Sequence, residues 1–247
     1  MRALRPLGGF FMTDSDLMNT WLADDPELAA LVGPFLTTTN APKTVLPAGD
    51  RELIGLIALT VQGSLTHFQA NVNQALQAGV TPARLLETIY QLTPVIGYPK
   101  VAGALTAIHA ELAADKLAPD FKPLLSDEQH GVKVQANLYG TEIKNLLAAL
   151  PAGAGTALPQ WLTQHFFNDY YRRSTLTTAQ RERYELMALI TLNVDFQIKA
   201  HARGSLKAGN SAATLVWAAI QLLPYIGFPL IINSVRQIQA AAEALND

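Results

Sequence analysis

Apolar residues return every three or four positions along most of this chain. Leu53, Ile57 and Val61 keep one face, and Leu186, Leu189 and Ile190 keep another, the spacing of amphipathic helices with 3.6 residues per turn. No run of useful length alternates between apolar and polar, so strands are not expected. The breaks between helical stretches carry caps. Gly63 and Asn193 are the residue types that best tolerate the left-handed backbone that ends a helix. Ser64 and Asp195 follow them as expected N-caps. Gly79 and Gly209 close the next helices, and Thr81-Pro82 and Ser211 open a third pair, the proline sitting where its missing N–H costs nothing. Thr177 with Gln180 reads as a capping box. The expected fold class is all-α.

The pattern occurs twice. A shift of 130 positions carries Arg51-Glu52 onto Arg181-Glu182 without a gap. Under the same shift Ala78-Gly79 meets Ala208-Gly209, and Gln91-Leu92 meets Gln221-Leu222. Pro94, Ile96, Gly97 and Pro99 meet Pro224, Ile226, Gly227 and Pro229. The matches are densest at Gly and Pro, where backbone geometry is least negotiable. Two tandem helical-bundle repeats are expected, residues 1–120 with a core at 51–112 and residues 121–247 with a core at 181–242. Further helical stretches are expected at about 13–36 and 126–149, with 115–126 as the linker.

Composition narrows the function classes. Of 247 residues 49% are apolar and 15% charged, the reverse of a disordered chain. A net charge of −2 offers no basic field for nucleic acid. There is no cysteine, which removes disulfides, thiolate metal sites and thiol redox chemistry. No HExxH, GxGxxG, P-loop or GxSxG motif is present, so neither a metal nor another cofactor is expected. Arg5-Pro6 and Gly8-Gly9 interrupt any leader-like apolar run, and a cytoplasmic protein is expected. The apolar stretch from Ala212 to Asn233 contains Pro224, Gly227 and Pro229, which reads as two core segments and not a membrane span. So apolar a chain in thin bundles is expected to self-associate.

Five histidines carry the remaining chemistry: His67, His109, His130, His165 and His201. His109, His130 and His165 read as ordinary surface or boundary residues. On one straight helix Glu182 and His201 would lie about 28 Å apart at 1.5 Å rise per residue. A reversal at Asn193 brings them within roughly one turn of each other. A carboxylate beside an imidazole orients its tautomer and suits it to general acid/base work; the other reading is a buried hydrogen bond that only fixes two helices. In the first repeat Glu52 matches Glu182, but Asn71 stands where His201 would. His67 lies one turn earlier, on a shared helix face, which makes Glu52 and His67 a weaker second site or His67 a boundary residue.

Several phrases resemble the carboxymuconolactone decarboxylase family, which is similar in fold to the alkylhydroperoxidase D proteins. In the second half these are NLYGTEI (137–143), FNDYYRRSTLTTAQRE (167–182), KAHARGSLKAGNS (199–211) and LPYIGFP (223–229). The first half matches through RELIGLIAL (51–59), ANVNQALQAGVTPARLLETIYQL (70–92) and VIGYPKVAGAL (95–105). The resemblance implies an all-α, tandem two-repeat member that assembles as a homotrimer or other homo-oligomer. It places Glu182 and His201 at the family's Glu and His positions. The cysteine positions of the peroxidase branch hold Val194 and Gln197, and Ser64 and His67 in the first repeat, so that peroxidase mechanism is excluded. The decarboxylase branch keeps its histidine in an HxRGxL context, reproduced by His201 to Leu206. It implies loss of carbon dioxide from a carboxylated lactone, with His201 as acid, Glu182 as its orienting partner and Arg203 as anchor for substrate. Arg203 lies about 200° round the helix from His201 and also reads as a solvated surface residue. Arg172-Arg173 read as solvated or as reaching a neighbouring subunit. The alternatives are a non-catalytic oligomeric protein that binds a small molecule, and a different lyase or isomerase that uses the same Glu182–His201 pair.

Overall fold

The computed structural model describes Leu22 and residues 24–245; the lead-in at 1–11 and the start of the helix expected at 13–36 lie outside them. The first half contains α1 (Pro26–Thr38), α2 (Asp50–Gln62), α3 (Phe68–Gln77), α4 (Pro82–Tyr90), α5 (Thr93–Ile96) and α6 (Tyr98–Ala114). The second begins with α7 (His130–Tyr139), α8 (Glu142–Leu147) and α9 (Ala154–Trp161), which runs into a π-helix, Leu162–Asp169. It continues through α10 (Thr178–Leu192), α11 (Asp195–Lys207), α12 (Ala212–Ile220) and α13 (Leu223–Glu243). No strand occurs among the described residues. An isolated bridge between Leu124 and Arg173 ties the non-helical connection after α6 to the turn before α10.

Local chemistry explains most boundaries. Thr177 and Gln180 form the expected capping box at the head of α10. Thr81 and Ser211 cap α4 and α12 through their side chains. Asn193 ends α10 at φ 57° and Gly63 ends α2 at φ 69°, both left-handed. Two expected N-caps are corrected. The Ser64 amide donates to the Leu59 carbonyl at 2.9 Å, so Ser64 completes the end of α2, and His67 stands at the N-cap of α3. Val194 is the N-cap of α11; Asp195 sits inside its first turn, where its charge suits the helix dipole. Gly97 at φ 86° separates α5 from α6, and Gly227 at φ 76° kinks α13 at the equivalent place. That kink divides the apolar stretch at 212–233, and among the described residues no helix is long and apolar enough to cross a membrane.

The two repeats share one core. Leu53, Ile54 and Ile57 of α2, Leu85 and Ile89 of α4, Leu186 and Ile190 of α10, and Leu215 of α12 are all fully buried in one cluster. Charge crosses the same boundary. The Arg181 guanidinium is buried and pairs with Glu87 Oε1 at 2.7 Å. Arg181 also donates to Gln91 Oε1 at 3.1 Å, and the Gln91 amide returns a bond to its carbonyl. Arg173 Nη2 lies 2.8 Å from Glu87 Oε2, and Arg172 donates to the Leu125 carbonyl. Both arginines therefore turn to partners in their own chain, correcting the expectation that they are simply solvated. On the other side Asp50 pairs with Arg183 at 2.5 Å and with Arg84, and accepts from the Tyr184 hydroxyl at 2.8 Å.

Removing one member of a buried ion pair leaves an uncompensated charge in a medium that cannot solvate it. Glu87→Ala is expected to cost about 3–5 kcal/mol in urea unfolding, because Arg181 then keeps its charge with no carboxylate. Exchange of the exposed Lys133, paired only with exposed Asp127, should cost less than about 1 kcal/mol.

Candidate active site

The left-handed turn at Asn193 folds α11 back along α10, and the two residues that sequence spacing singled out meet. His201 Nδ1 lies 3.3 Å from Glu182 Oε2 and 3.6 Å from Glu185 Oε2. Glu182 and Glu185 are three apart on α10 and share its face; both are almost fully buried. Two tyrosines complete the cluster. The Tyr171 hydroxyl is 2.5 Å from Glu182 Oε1 and 3.0 Å from Glu185 Oε2. The Tyr139 hydroxyl donates to Glu182 Oε2 and stands 2.9 Å from His201 Nδ1.

Local structure sets these positions. Tyr139 is the last residue of α7, and α7 approaches the π-helix at Gly131, where a Cβ would lie 2.5 Å from the Phe167 carbonyl carbon. The π-helix carries Phe167, whose ring sits 5.7 Å from Tyr139 and 5.1 Å from Tyr171. π-Helical segments are rare and are frequently found at functional sites. Gly204, one turn after His201, is another close approach: a Cβ there would lie 2.6 Å from Tyr139 Cζ and 3.0 Å from Glu182 Oε2. Only glycine at 204 lets the tyrosine reach the carboxylate.

Counting protons assigns the network. Each tyrosine hydroxyl has one hydrogen to donate. Tyr171 gives its hydrogen to the nearer Glu182 oxygen, so the contact with Glu185 requires a proton on Glu185 that is donated back to the Tyr171 oxygen. Burial, and next the Glu182 charge, push the Glu185 carboxyl well above the ordinary carboxylate range, which agrees. Tyr139 likewise spends its hydrogen on Glu182, so His201 Nδ1 must carry a hydrogen and donate it. Burial, followed by the Glu182 and Glu185 charges, pushes both tyrosines well above their ordinary range, and they stay neutral donors. One carboxylate charge is thus held by two hydroxyls and an imidazole N–H, and His201 Nε2 is left free. The His201 side chain is 14% exposed and Tyr139 is also partly exposed, so the cluster meets solvent through these two residues while Glu182, Glu185 and Tyr171 are buried.

Metal-type donors do converge here, although no sequence motif announces them: Glu182, Glu185 and His201 place three possible ligand atoms within 4.8 Å. Glu182 already accepts from both tyrosine hydroxyls, and Glu185 meets the Tyr171 hydroxyl. The donor set suits a proton-sharing network better than a cation.

The other sequence candidates fall elsewhere. Arg203 pairs with Glu142 at 2.9 Å, both about half exposed, and makes no hydrogen bond to the Glu182 cluster, although its charge acts on the Tyr139 hydroxyl. Glu52 and His67 are half-buried, but the first repeat does not assemble the same cluster. The positions matching Tyr171, Glu185 and His201 hold Ala41, Gly55 and Asn71. At Gly55 the space is taken by Tyr225 from the second repeat, whose Cζ would lie 3.0 Å from a Cβ. Asn71 turns its amide to the His67 carbonyl at 3.0 Å. Sequence spacing missed Glu185, Tyr139, Tyr171 and Gly204. Glu185 is legible as the i+3 neighbour of Glu182; the tyrosines come from remote segments, with no spacing to give them away. A cavity of about 580 Å³ lies on the other face of α11, against Lys199, Arg203 and Arg236, and the Glu182 cluster does not line it.

The sequence profile of the carboxymuconolactone decarboxylase family matches residues 26–110 and 156–240, two blocks related by the same shift of 130 that superposes the halves. No curated protein matches the chain.

Two measurements test this geometry. Gly204→Ala should destabilise by about 1–3 kcal/mol through overpacking, whereas Gly33→Ala on α1, with open space around it, should be neutral or stabilising. Because the folded Glu185 holds its proton to higher pH than the unfolded chain does, its contribution to stability is complete below the ordinary glutamate range and is lost as pH rises through the folded value. Glu185→Gln should therefore flatten the fall in unfolding free energy from pH 5 to pH 9. An unchanged slope would show that Glu185 is ionised in the fold.

Proposed function

The chain belongs to the carboxymuconolactone decarboxylase family, and we propose that its second repeat performs acid/base chemistry on a small carboxylated or lactone substrate. The observation that supports this reading is the partly exposed His201 imidazole, whose Nδ1 is held by Tyr139 and Glu182 and whose Nε2 makes no hydrogen bond among the described residues. Nδ1 is fixed by Tyr139 and Glu182, so a proton gained or lost by the ring is exchanged at Nε2. In a decarboxylation the bond between the substrate carboxylate and its carbon breaks, carbon dioxide leaves, and the electron pair remains as a dienolate. His201 Nε2–H then forms the new C–H bond, and solvent returns the proton to the ring. Glu182 stabilises the imidazolium that exists before transfer. Glu185 and Tyr171 confine one negative charge to Glu182. Thiol peroxidase activity is excluded by the lack of cysteine.

A second reading, a binding protein without catalysis, is favoured by one observation: the 580 Å³ cavity is lined by α11 residues on the face opposite His201. In either case self-association belongs to the proposal. Leu31, Phe228, Ile232 and Trp161 are each more than half exposed, and exposed apolar side chains of this size gather at interfaces.

Carbon dioxide release from 4-carboxymuconolactone is the direct assay. Wild type should release it, and His201→Ala should slow release by about 10²–10⁴-fold, the usual contribution of a general acid. Equal rates would remove His201 from the mechanism; no release by wild type would favour the binding reading. In size exclusion the protein should elute well above its 26.7 kDa chain mass, and elution at that mass contradicts self-association.

A further inference from the structure

Two helices at matching places in the repeats are exposed without being polar. The shift of 130 carries α1 onto residues 156–168, which run from α9 into the π-helix. Among the thirteen residues of α1 only Leu36 is buried and only Glu27 is charged. Helix α9 has eight residues, buries only Pro159 and carries no charge. A helix that faces water normally covers its outer face with charged or polar side chains. Here the outer positions are large and apolar, and they correspond pair by pair. Leu28 and Leu158 are 42% and 46% exposed, and Leu31 and Trp161 are 75% and 63% exposed. Tyr98, which opens α6, and its counterpart Phe228 on α13 are 70% and 56% exposed. Phe228 adjoins α1, its ring 5.7 Å from that of Phe35. The chemistry of the repeats has diverged, with Gly55 opposite Glu185 and Asn71 opposite His201, yet this surface is present in both.

We propose that these are two halves of one interface between copies of this chain. The first-repeat face of one copy, α1 with Phe228, packs on the second-repeat face of another, centred on Leu158 and Trp161 of α9. Area limits what can cover them. Each face offers on the order of 200–400 Å² of apolar side chain, taking about 150–250 Å² for a large side chain fully exposed. A stable interface takes about 800 Å² from each partner, so one face is too small to hold a partner by itself. A chain that uses both faces is held twice in one closed assembly, and the two contacts reinforce each other. Only a partner that also carries both faces can close it, and that partner is a second copy. Charge sets which faces pair. Asp24, Asp25 and Glu27 are exposed around the head of α1, so two first-repeat faces would set like charges against each other, which is costly. The second-repeat face is rimmed by the exposed Lys144 of α8, a helix that α9 approaches closely at Gly155. The one carboxylate of α8, Glu142, is taken by Arg203. The inference rests on the self-association proposed above and is independent of the acid/base reading, because no residue of either face belongs to the Glu182 cluster.

Light scattering coupled to size exclusion of the full chain tests it. Wild type should give a whole multiple of 26.7 kDa. Leu31→Glu and Trp161→Glu, both at exposed positions, should keep the wild-type circular dichroism. Each alone should run as a single chain, because every contact needs one face of each kind. Leu28→Glu and Leu158→Glu are the second pair, used if either of the first fails to fold. An equimolar mixture of the two variants should form a two-chain complex and nothing larger. Trp161→Glu keeps a sound first-repeat face and Leu31→Glu a sound second-repeat face, so one contact is restored. Leu117→Glu, at an exposed leucine whose counterpart is Asp247, should associate as wild type does. Either face variant associating as wild type does overturns the proposal. So does a mixture that stays monomeric, or an equal loss of association in Leu117→Glu. Those outcomes leave self-association itself standing, whereas a wild type that runs as one chain removes both.

Discussion

Helix α10 is buried on every side while carrying five consecutive polar or charged residues, Arg181 to Glu185. A charge taken out of water must be paired or neutralised, and the rest of the structure supplies those partners in different directions. Arg181 turns to Glu87 of the first repeat and Arg183 to Asp50, while Tyr184 also donates to Asp50. Glu182 turns to two tyrosines and a histidine of the second repeat. Glu185 takes the other solution and keeps its proton. The helix that joins the repeats is therefore also the one that holds the candidate site. A change that loosens the ion pairs would displace the carboxylates one residue away.

This arrangement explains why two repeats of one backbone do not carry two equal sites. The helices correspond closely: α4 and α12 begin and end at matching positions, and a positive-φ glycine breaks the chain before Pro99 and again before Pro229. The side chains do not correspond. Where the second repeat buries Glu185, the first has Gly55, and the vacated space admits the ring of Tyr225 from the other repeat. Packing has taken over a position that chemistry holds in its counterpart.

Helix α11 then separates two environments. One face presents His201 and Gly204 to a water-poor network in which each proton is accounted for. The opposite face presents Lys199 and Arg203 to an open cavity, Arg203 paired with Glu142. Two residues along the helix turn a side chain through about 200°, so neighbours in the HxRGxL phrase serve different surfaces. Family phrases read as single motifs can in this way contain residues that never share a site.

The sequence by itself determined the helical class, the duplication and most helix ends. Those properties depend on local periodicity, on caps such as Thr177 with Gln180, and on the few residue types that accept a left-handed turn at Asn193. It also determined that no thiol chemistry is possible, and it singled out Glu182 and His201, because one reversal at a known position fixes which residues of an antiparallel pair meet. Tertiary structure decided the rest. Tyr139 and Tyr171 reach the cluster from segments 43 and 11 residues before Glu182, over a path set by a π-helix that no periodicity announces. That Ser64 closes one helix and does not open the next, and that Arg172 and Arg173 face inward, depended on where other segments lay. The protonation of Glu185 belongs to neither level alone: a glutamate has its ordinary acidity until the fold removes water and places a second carboxylate beside it.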